Sequence, residues 1–280
     1  MSRRLFIALA CAWACAFGAA QGQENAHARP ALRLSFEDQF DTLRLRQNDA
    51  GVWSTTFGYG GIADRTLTSN RELQLYVEPG FTGSGDVPLG FEPFEIRQGI
   101  LRIKADRVPR RVARRMWNYR YASGLINTRE SFSQTYGYFE IRARLPAGDG
   151  MWPAFWMLPA DGTWPPEIDV LEHLGRDPNT VYVGLKTDEG HGGGVLAISV
   201  PTATRSFHTY GVLWTRDHVT WYVDGFEVRR RPTPADMHKP MFMLVNLAVG
   251  GAWAGAPDRR TPFPMIMEVD YVRAYALAGE

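Results

Sequence analysis

Cysteine is nearly absent from this chain of 280 residues. Its two cysteines, Cys11 and Cys15, both fall within the first 20 residues, so the remainder has no thiol for a disulfide or for a metal. The six histidines show no metal-ligand spacing, and we expect no metal or other cofactor in catalysis. A chain of this length can bury a large apolar core without disulfides.

A strong charge imbalance and a membrane-spanning run are also lacking. The 31 basic and 30 acidic residues give a formal net charge of +1, so there is no reason to expect a nucleic acid or an acidic membrane as partner. Arg3 and Arg4 precede an apolar run over residues 5–20 that is too short for a comfortable membrane span. This layout is typical of a secretory signal peptide, which we predict over residues 1–20.

The predicted signal peptide has consequences for the mature chain. It indicates a secreted or periplasmic protein with no membrane partner once the peptide is removed. A lipoprotein anchor on Cys11 or Cys15 and an uncleaved anchor are the alternatives. Residues 21–31 are polar and contain Pro30, which indicates a disordered lead-in.

Long helical periodicity is lacking from residue 32 onward. Short apolar or alternating runs separated by Gly, Pro, Asn and Asp predict β-strands, and Asp224-Gly225 between two such runs is a strong hairpin signal. Many short strands predict an all-β sandwich or jelly roll, here as one domain over residues 32–280. The predicted strands are Leu32–Phe36, Glu72–Val77, Gly99–Ala105, Gly137–Arg144, Val181–Leu185, Val195–Val200, His208–Trp214, Val219–Val223, Met241–Leu247 and Met265–Tyr275.

One apolar stretch, residues 164–175, carries three acids. Glu167 and Asp169 are two residues apart and face the same side of a regular strand, whereas Glu172, five residues from Glu167, faces the other side. One extra residue in a β-bulge near Val170-Leu171 returns Glu172 to the side of the other two. The sequence therefore predicts three acids on one sheet face.

The three acids have a catalytic and a passive interpretation. Glycoside hydrolysis needs one carboxyl group to protonate the leaving oxygen and another to attack or to activate water. Close carboxylates do not all ionise, so one can act as the acid. Acids that alternate along a strand also form solvated outer faces. Trp152, Trp156 and Trp164 lie within 15 residues upstream of Glu167 and favour a sugar site, since sugar rings pack on aromatic faces.

The stretch from Trp164 to Glu172, Trp-Pro-Pro-Glu-Ile-Asp-Val-Leu-Glu, resembles the Glu-Ile-Asp-x-x-Glu signature of glycoside hydrolase family 16, the laminarinase and lichenase group, in its bulged form. The resemblance implies a concanavalin-like β-jelly-roll sandwich of two antiparallel sheets with a concave substrate cleft. It also implies a retaining mechanism, with Glu167 as nucleophile, Asp169 as its electrostatic partner and Glu172 as acid/base. The Trp-Pro-Pro prelude is similar to bacterial endoglycanases that act on exopolysaccharides such as succinoglycan.

Further stretches between about residues 35 and 276 resemble the same family. Asn70 lies in a stretch similar to an early strand that reaches the cleft, Glu140 and Arg142 in one similar to the cleft floor, and Asn246 and Trp253 in one similar to an end of the cleft. A surface ion pair is the alternative for Glu140 and Arg142, and bonding to backbone groups is the alternative for Asn246. The sugar-binding residues implied are Asn70, Glu140, Arg142, Trp156, Trp164, Asn246 and Trp253.

Three features of the sequence leave the substrate and the ions open. Residues 107–120 contain six arginines, which form either a solvated basic loop or a surface that captures an anionic polysaccharide. Lys186 lies near the place where many laminarinase-like relatives carry a sugar-facing His, so the resemblance gives no support to laminarin in particular. Structural calcium, as in some relatives, could use Glu37 or Asp270.

Residues and resemblance together predict a secreted, monomeric endo-glycanase. It would cleave internal β-1,3/1,4 linkages of a glucan-like polysaccharide or a bacterial exopolysaccharide with retention. A transglycosylase on the same scaffold differs only in which acceptor competes with water. The other classes are a non-catalytic polysaccharide-binding module, which needs no acid pair, and an extracellular structural protein, which leaves the tryptophan-lined acids unexplained.

Overall fold

β-Strands make up most of the computed structural model, which describes residues 30–46, 50–189 and 194–278. The strands are β1 (Leu32–Asp38), β2 (Gln74–Tyr76), β3 (Phe94–Arg97), β4 (Ile100–Arg107), β5 (Tyr121–Ser123), β6 (Leu125–Asn127), β7 (Gly137–Arg144), β8 (Met151–Pro159), β9 (Glu167–His173), β10 (Thr180–Lys186), β11 (Gly194–Ser199), β12 (His208–Trp214), β13 (His218–Val223), β14 (Phe226–Pro232), β15 (Met241–Val249) and β16 (Met265–Leu277). Short 3-10 helices cover Gly61–Asp64, Thr68–Asn70, Arg110–Met116 and Ala235–Met237.

The strands form two sheets, as predicted. The ten-stranded sheet has the order β14-β13-β12-β7-β16-β4-β5-β2, with β1 paired to β16 and β3 paired to β4. The six-stranded sheet has the order β11-β10-β9-β8-β15-β6. Pairing is antiparallel around β9, and parallel between β2 and β5. The predicted hairpin is confirmed, since Asp224 and Gly225 both adopt positive φ between β13 and β14.

The core lies between the two sheets and explains the strand patterns. In β7, the buried Phe139 and Ile141 alternate with the half-buried Glu140 and Arg142, so only one face of this strand meets the core. β8 is buried along nearly its whole length, on both faces, and it was not among the predicted strands. A strand buried on both faces lacks the alternation that reveals most strands in a sequence.

β9 is buried throughout, because it lies in the middle of its sheet between β8 and β10. Tyr182 of β10 is opposite Glu172 and Gly184 is opposite Asp169, so the two residues Val170 and Leu171 oppose a single partner. The same shift occurs on the β8 side. The predicted β-bulge is therefore confirmed at the predicted place, with both of its apolar side chains in the core.

The back of β9 is tied to the other sheet. Trp221 of β13 is completely buried, and its Nε1 donates to the backbone carbonyl oxygen of Asp169 at 2.8 Å. The predicted signal peptide and most of the lead-in lie outside the described residues. Among the residues that are described, no helix is long and apolar enough to cross a membrane.

Candidate active site

The three acids of β9 converge on one open cavity of about 460 Å³. Glu167, Asp169 and Glu172 all line it, although each is at most 5% exposed. The bulge makes this convergence possible, because it turns Glu172 to the face that the other two acids occupy. The geometry thus brings together the three residues that the sequence pattern predicted on one face.

Both oxygens of the Glu167 carboxylate have a donor. Trp164 Nε1 donates to Oε2 at 2.8 Å, and Lys186 Nζ forms an ion pair with Oε1. Lys186 is directly opposite Glu167 in the β9–β10 pair. A cation and an indole N–H donor thus lie on the two oxygens of the buried Glu167 carboxylate.

Asp169 is the most deeply buried of the three acids, at 2% exposed. Burial, reinforced by the charges of Glu167 and Glu172, raises the pKa of Asp169 well above its usual value. Lys186 Nζ lies 3.7 Å from Asp169 Oδ2 and opposes this shift.

Glu172 has the environment of a general acid. The pKa of Glu172 is raised to about 7: burial raises it most and the charge of Glu167 adds to this, while the charge of Lys186 and a hydrogen bond from Trp152 lower it. Trp152 Nε1 donates to Glu172 Oε1 at 3.0 Å. Near pH 7 Glu172 can thus hold a proton and release it.

Aromatic side chains line the cavity on both sides of the acids. Trp164 is 62% exposed beside Glu167. At the other end, the Trp253 ring packs edge-on against Trp152 at 5.4 Å between centroids and against Tyr182 at 4.8 Å. These rings offer the apolar faces on which sugar rings pack.

Asn246 of β15 is held in a fixed orientation in the cavity wall. Its Oδ1 accepts from Trp156 Nε1 at 2.8 Å, and its Nδ2 donates to the Tyr76 hydroxyl at 2.9 Å. These bonds use two of the four hydrogen-bond positions of an Asn amide, which leaves two for a ligand. Asn70 lies in the 3-10 helix Thr68–Asn70 rather than in a strand, and it also lines the cavity.

Glu140 and Arg142 do not belong to this site, and their predicted place in the cleft is wrong. They lie on β7 in the ten-stranded sheet, on the face that points away from the core. Glu140 accepts hydrogen bonds from the hydroxyls of Tyr138 at 2.8 Å and Tyr271 at 2.9 Å. Residue parity gives the face of a strand but not the sheet to which the strand belongs, and here the polar face is the outer surface of the opposite sheet.

The two residues suggested for calcium are each paired with an arginine. Glu37 accepts from Arg273 Nε at 2.7 Å, and Asp270 forms an ion pair with Arg142. Across the described residues, no group of three or more His, Cys, Asp or Glu is placed to hold a metal ion. The geometry therefore gives calcium no support at these carboxylates.

The arginine-rich stretch divides into an anchoring and an exposed part. Arg115 Nη2 donates to the backbone carbonyls of Thr82, at 2.6 Å, and Val87. Arg110, Arg111 and Arg114, which we name the arginine turn, are exposed in the 3-10 helix Arg110–Met116. The arginine turn is the part that could meet an anionic ligand.

Two residues of the site were not predicted as such. In the sequence, Trp152 is only one of several tryptophans upstream of Glu167, yet its position four residues before Trp156 puts both on one face of β8 and both at the cleft. The sequence shows Lys186 only as a departure from the laminarinase pattern. Its contact with Glu167 depends on the register of β9 and β10, which no local motif reveals.

The fold is that of solved laminarinases. The catalytic domain of an endo-1,3-β-glucanase (laminarinase) from Thermotoga petrophila RKU-1 superposes with a TM-score of 0.74 at 30% identity, over 89% of this chain and 99% of that chain. The laminarinase from Rhodothermus marinus superposes with a TM-score of 0.71 at 33% identity, over 88% and 98%. The jelly-roll sandwich that the sequence resemblance implied is confirmed.

Sequence comparison agrees. The endo-1,3-1,4-β-glycanase ExsH of Rhizobium meliloti is 44% identical over 253 residues, which are 90% of this chain and 53% of that protein. The chain thus spans about half the length of this relative. A β-glucanase of Rhodothermus marinus is 35% identical over 80% of this chain and 84% of its own. Residues 92–273 match the glycosyl hydrolases family 16 model. The chain belongs to glycosyl hydrolases family 16.

Proposed function

We propose that this protein is a retaining endo-glycanase that cleaves internal β-1,3/1,4 linkages of a glucan-like polysaccharide or a bacterial exopolysaccharide. The observation that carries the proposal is the division of roles among the acids of β9. Lys186 pairs with the Glu167 carboxylate, whereas the pKa of Glu172 is raised, chiefly by burial, to about 7, so Glu172 can carry the proton that the leaving oxygen needs. The names of the Rhizobium meliloti and Rhodothermus marinus relatives support the substrate class and the endo mode.

The first chemical step uses these two protonation states. One Glu167 oxygen attacks the anomeric carbon, and the Glu172 proton passes to the glycosidic oxygen as the bond between that carbon and that oxygen breaks. The leaving sugar departs with the proton, and a glycosyl ester of Glu167 remains. Glu172 is now a carboxylate, whose charge the donor Trp152 Nε1 stabilises.

The second step restores the enzyme. The Glu172 carboxylate takes a proton from a water molecule, and the water oxygen attacks the anomeric carbon and displaces Glu167. Two inversions at one carbon give net retention. When a sugar hydroxyl takes the place of water, the same steps give transglycosylation, so hydrolysis and transfer are outcomes of one site.

A direct test is the release of new reducing ends from lichenan, laminarin and succinoglycan. Glu167→Gln and Glu172→Gln should each lower the rate at least about 1,000-fold, because each removes one side of the acid–nucleophile pair. Glu140→Gln is the matched control, since Glu140 lies on the outer face of the other sheet and should keep the wild-type rate. Undiminished activity in Glu167→Gln, or no activity on any polymer, would sink the proposal.

The stereochemistry of the first product is a separate test. Proton NMR during early turnover should show the β-anomer first, because both steps occur at the same carbon through Glu167. Initial release of the α-anomer would exclude Glu167 as nucleophile.

Secretion is part of the proposal. The mass of the mature protein from the culture medium or periplasm should correspond to a chain without residues 1–20.

A further inference from the structure

Lys186 occupies an unusual position for a cleft residue. It lies directly across the strand pair from Glu167, forms an ion pair with Glu167 Oε1 and lies 3.7 Å from Asp169 Oδ2. Its side chain is 46% exposed on the cavity side, so it is held by the acids rather than by the core. Although burial opposes the shift, the charges of Asp169 and Glu167 raise the pKa of Lys186, which stays protonated throughout the working pH range.

Among the described residues, a single lysine lines the cavity opposite several acids. Among the described residues that line it, Lys186 is the only lysine or arginine, whereas Glu72 joins the three acids of β9. Glu72 is engaged elsewhere, since its Oε2 accepts from Leu67 N at 3.0 Å and from Gln74 Nε2 at 2.8 Å. The charge of Lys186 is therefore directed at the β9 acids.

We propose that Lys186 is a positioning residue that balances the single negative charge as this charge passes from Glu167 to Glu172 during turnover. This inference rests on the retaining glycanase function proposed above. With Glu167 as the nucleophile and Glu172 as the proton donor, the free enzyme carries the charge on Glu167 and the proton on Glu172, so these two carboxyl groups and the Lys186 ammonium sum to zero. In the glycosyl-enzyme Glu167 is an uncharged ester and Glu172 is the anion, and the sum is again zero.

This constancy has a physical advantage. A buried site that changed its net charge during the reaction would have to be resolvated at each step, whereas a fixed cation serves both states without reorganisation. Lys186 also acts on Glu172, because its charge lowers the pKa of that carboxyl. One ammonium group thus couples the nucleophile and the acid.

None of the other described groups that surround the cluster supplies a second cation to the acids. From β8, Trp152 and Trp156 face the acids and are uncharged. Tyr59 lines the cavity near Glu167, and burial raises the pKa of its hydroxyl, so it is neutral. Arg129 faces Tyr59, with its guanidinium carbon 6.0 Å from that ring, and donates to the carbonyl of Phe57.

The test is the pH dependence of kcat/KM on lichenan for Lys186→Met and Lys186→Arg. Loss of the cation removes the positive charge that faces both Glu167 and Glu172, so both limbs of the profile should move to higher pH, by about 1 to 3 pH units. The rate at the wild-type optimum should fall at least about tenfold, because that pH would lie on the displaced acid limb. Lys186→Arg keeps the charge and should return both limbs to within about half a pH unit of wild type.

Lys239→Met is the matched control. Lys239 pairs with Asp161 at 3.2 Å and lies outside the cavity lining, so its removal should leave both limbs in place. A purely structural role for Lys186 predicts the opposite pattern from ours: a lower melting temperature with unmoved limbs. Unmoved limbs in Lys186→Met, or displaced limbs in Lys186→Arg, would overturn the proposal.

A second readout does not need turnover. In protein labelled with ¹³C at Glu carboxyls, the Glu172 resonance is the one that is missing from the spectrum of Glu172→Gln. The titration midpoint of this resonance should rise in Lys186→Met. An unchanged Glu172 midpoint in Lys186→Met would contradict the proposed role of Lys186, even if no substrate is cleaved. Conversely, a moved midpoint in a protein inactive on every polymer would show that the glycanase proposal had failed while the electrostatic coupling was real.

Discussion

The hydrogen bond between Trp152 and Glu172 sets how far into alkaline pH the acid remains usable. Trp152→Phe removes the Nε1 donor at 3.0 Å from Glu172 Oε1 and keeps an aromatic ring against Trp253. The donor stabilises the ionised carboxylate, so its loss makes the proton harder to remove. Because Glu172 must be protonated to act, the variant should remain active at higher pH than the wild type.

The size of the shift follows from the burial of this bond. A hydrogen bond to a charged group contributes about 1.5–3 kcal/mol, and about 1.4 kcal/mol corresponds to one pKa unit. Solvent cannot replace the donor, because Glu172 is only 5% exposed. The pKa of Glu172, about 7 in the wild type, should rise by about 1 to 2 units in the variant.

The assay is kcat/KM on lichenan from pH 4 to 10, with the alkaline limb as the measured quantity. Trp156→Phe is the matched control, since Trp156 lies on the same face of β8 but donates to Asn246 rather than to an acid. It should change KM and leave the limb unmoved. An alkaline limb that stays in place in Trp152→Phe, or that moves equally in both variants, would refute the assignment of this limb to Glu172.

Three further predictions concern stability, the bulge and substrate charge. The pKa of Glu172 is about 7 in the folded protein against the ordinary 4.5, so its contribution to stability is complete below pH 4.5 and is lost as the pH rises through 7. Measured by urea unfolding, the free energy of unfolding of Glu172→Gln relative to that of the wild type should therefore increase by about 3 kcal/mol from pH 4 to pH 9. Deleting Val170 leaves Glu172 four residues from Glu167, and therefore on the same face of a regular strand, so activity should survive with a lower melting temperature. Deleting both Val170 and Leu171 turns Glu172 into the core and should abolish activity. Equal loss of activity in the two deletion variants would contradict the parity argument. Replacing the arginine turn by serines should raise KM for a carboxylated polysaccharide at low salt but not for lichenan; unchanged KM values would identify a solvated loop.

Much of the site was predictable because it is local. The spacing of Glu167, Asp169 and Glu172 contains both the shared face and the need for a bulge, and the register of β9 confirms the bulge. The same local parity placed Glu140 correctly on the polar face of its strand. Parity did not show that Glu140 lies outside the cleft, because the sheet to which a strand belongs is decided by contacts between residues far apart in the chain.

The unpredicted parts depend on such distant contacts. β8 is buried on both faces and carries no alternation, although it supplies Trp152 and Trp156 to the cleft. Lys186 reaches Glu167 only because β10 pairs with β9 in one particular register. A local motif thus reveals which groups do the chemistry, whereas the groups that adjust their charge come from neighbouring strands.

The bond from Trp221 to the backbone of Asp169 gives the core a part in setting the cleft. The donor belongs to one sheet and the acceptor to the other, and it meets β9 one residue before the bulge. The separation of the sheets at this point therefore fixes the position of the acid strand relative to the cavity. Substitutions in the core around Trp221 can therefore shift the three acids together, while every side chain that lines the cavity stays unchanged.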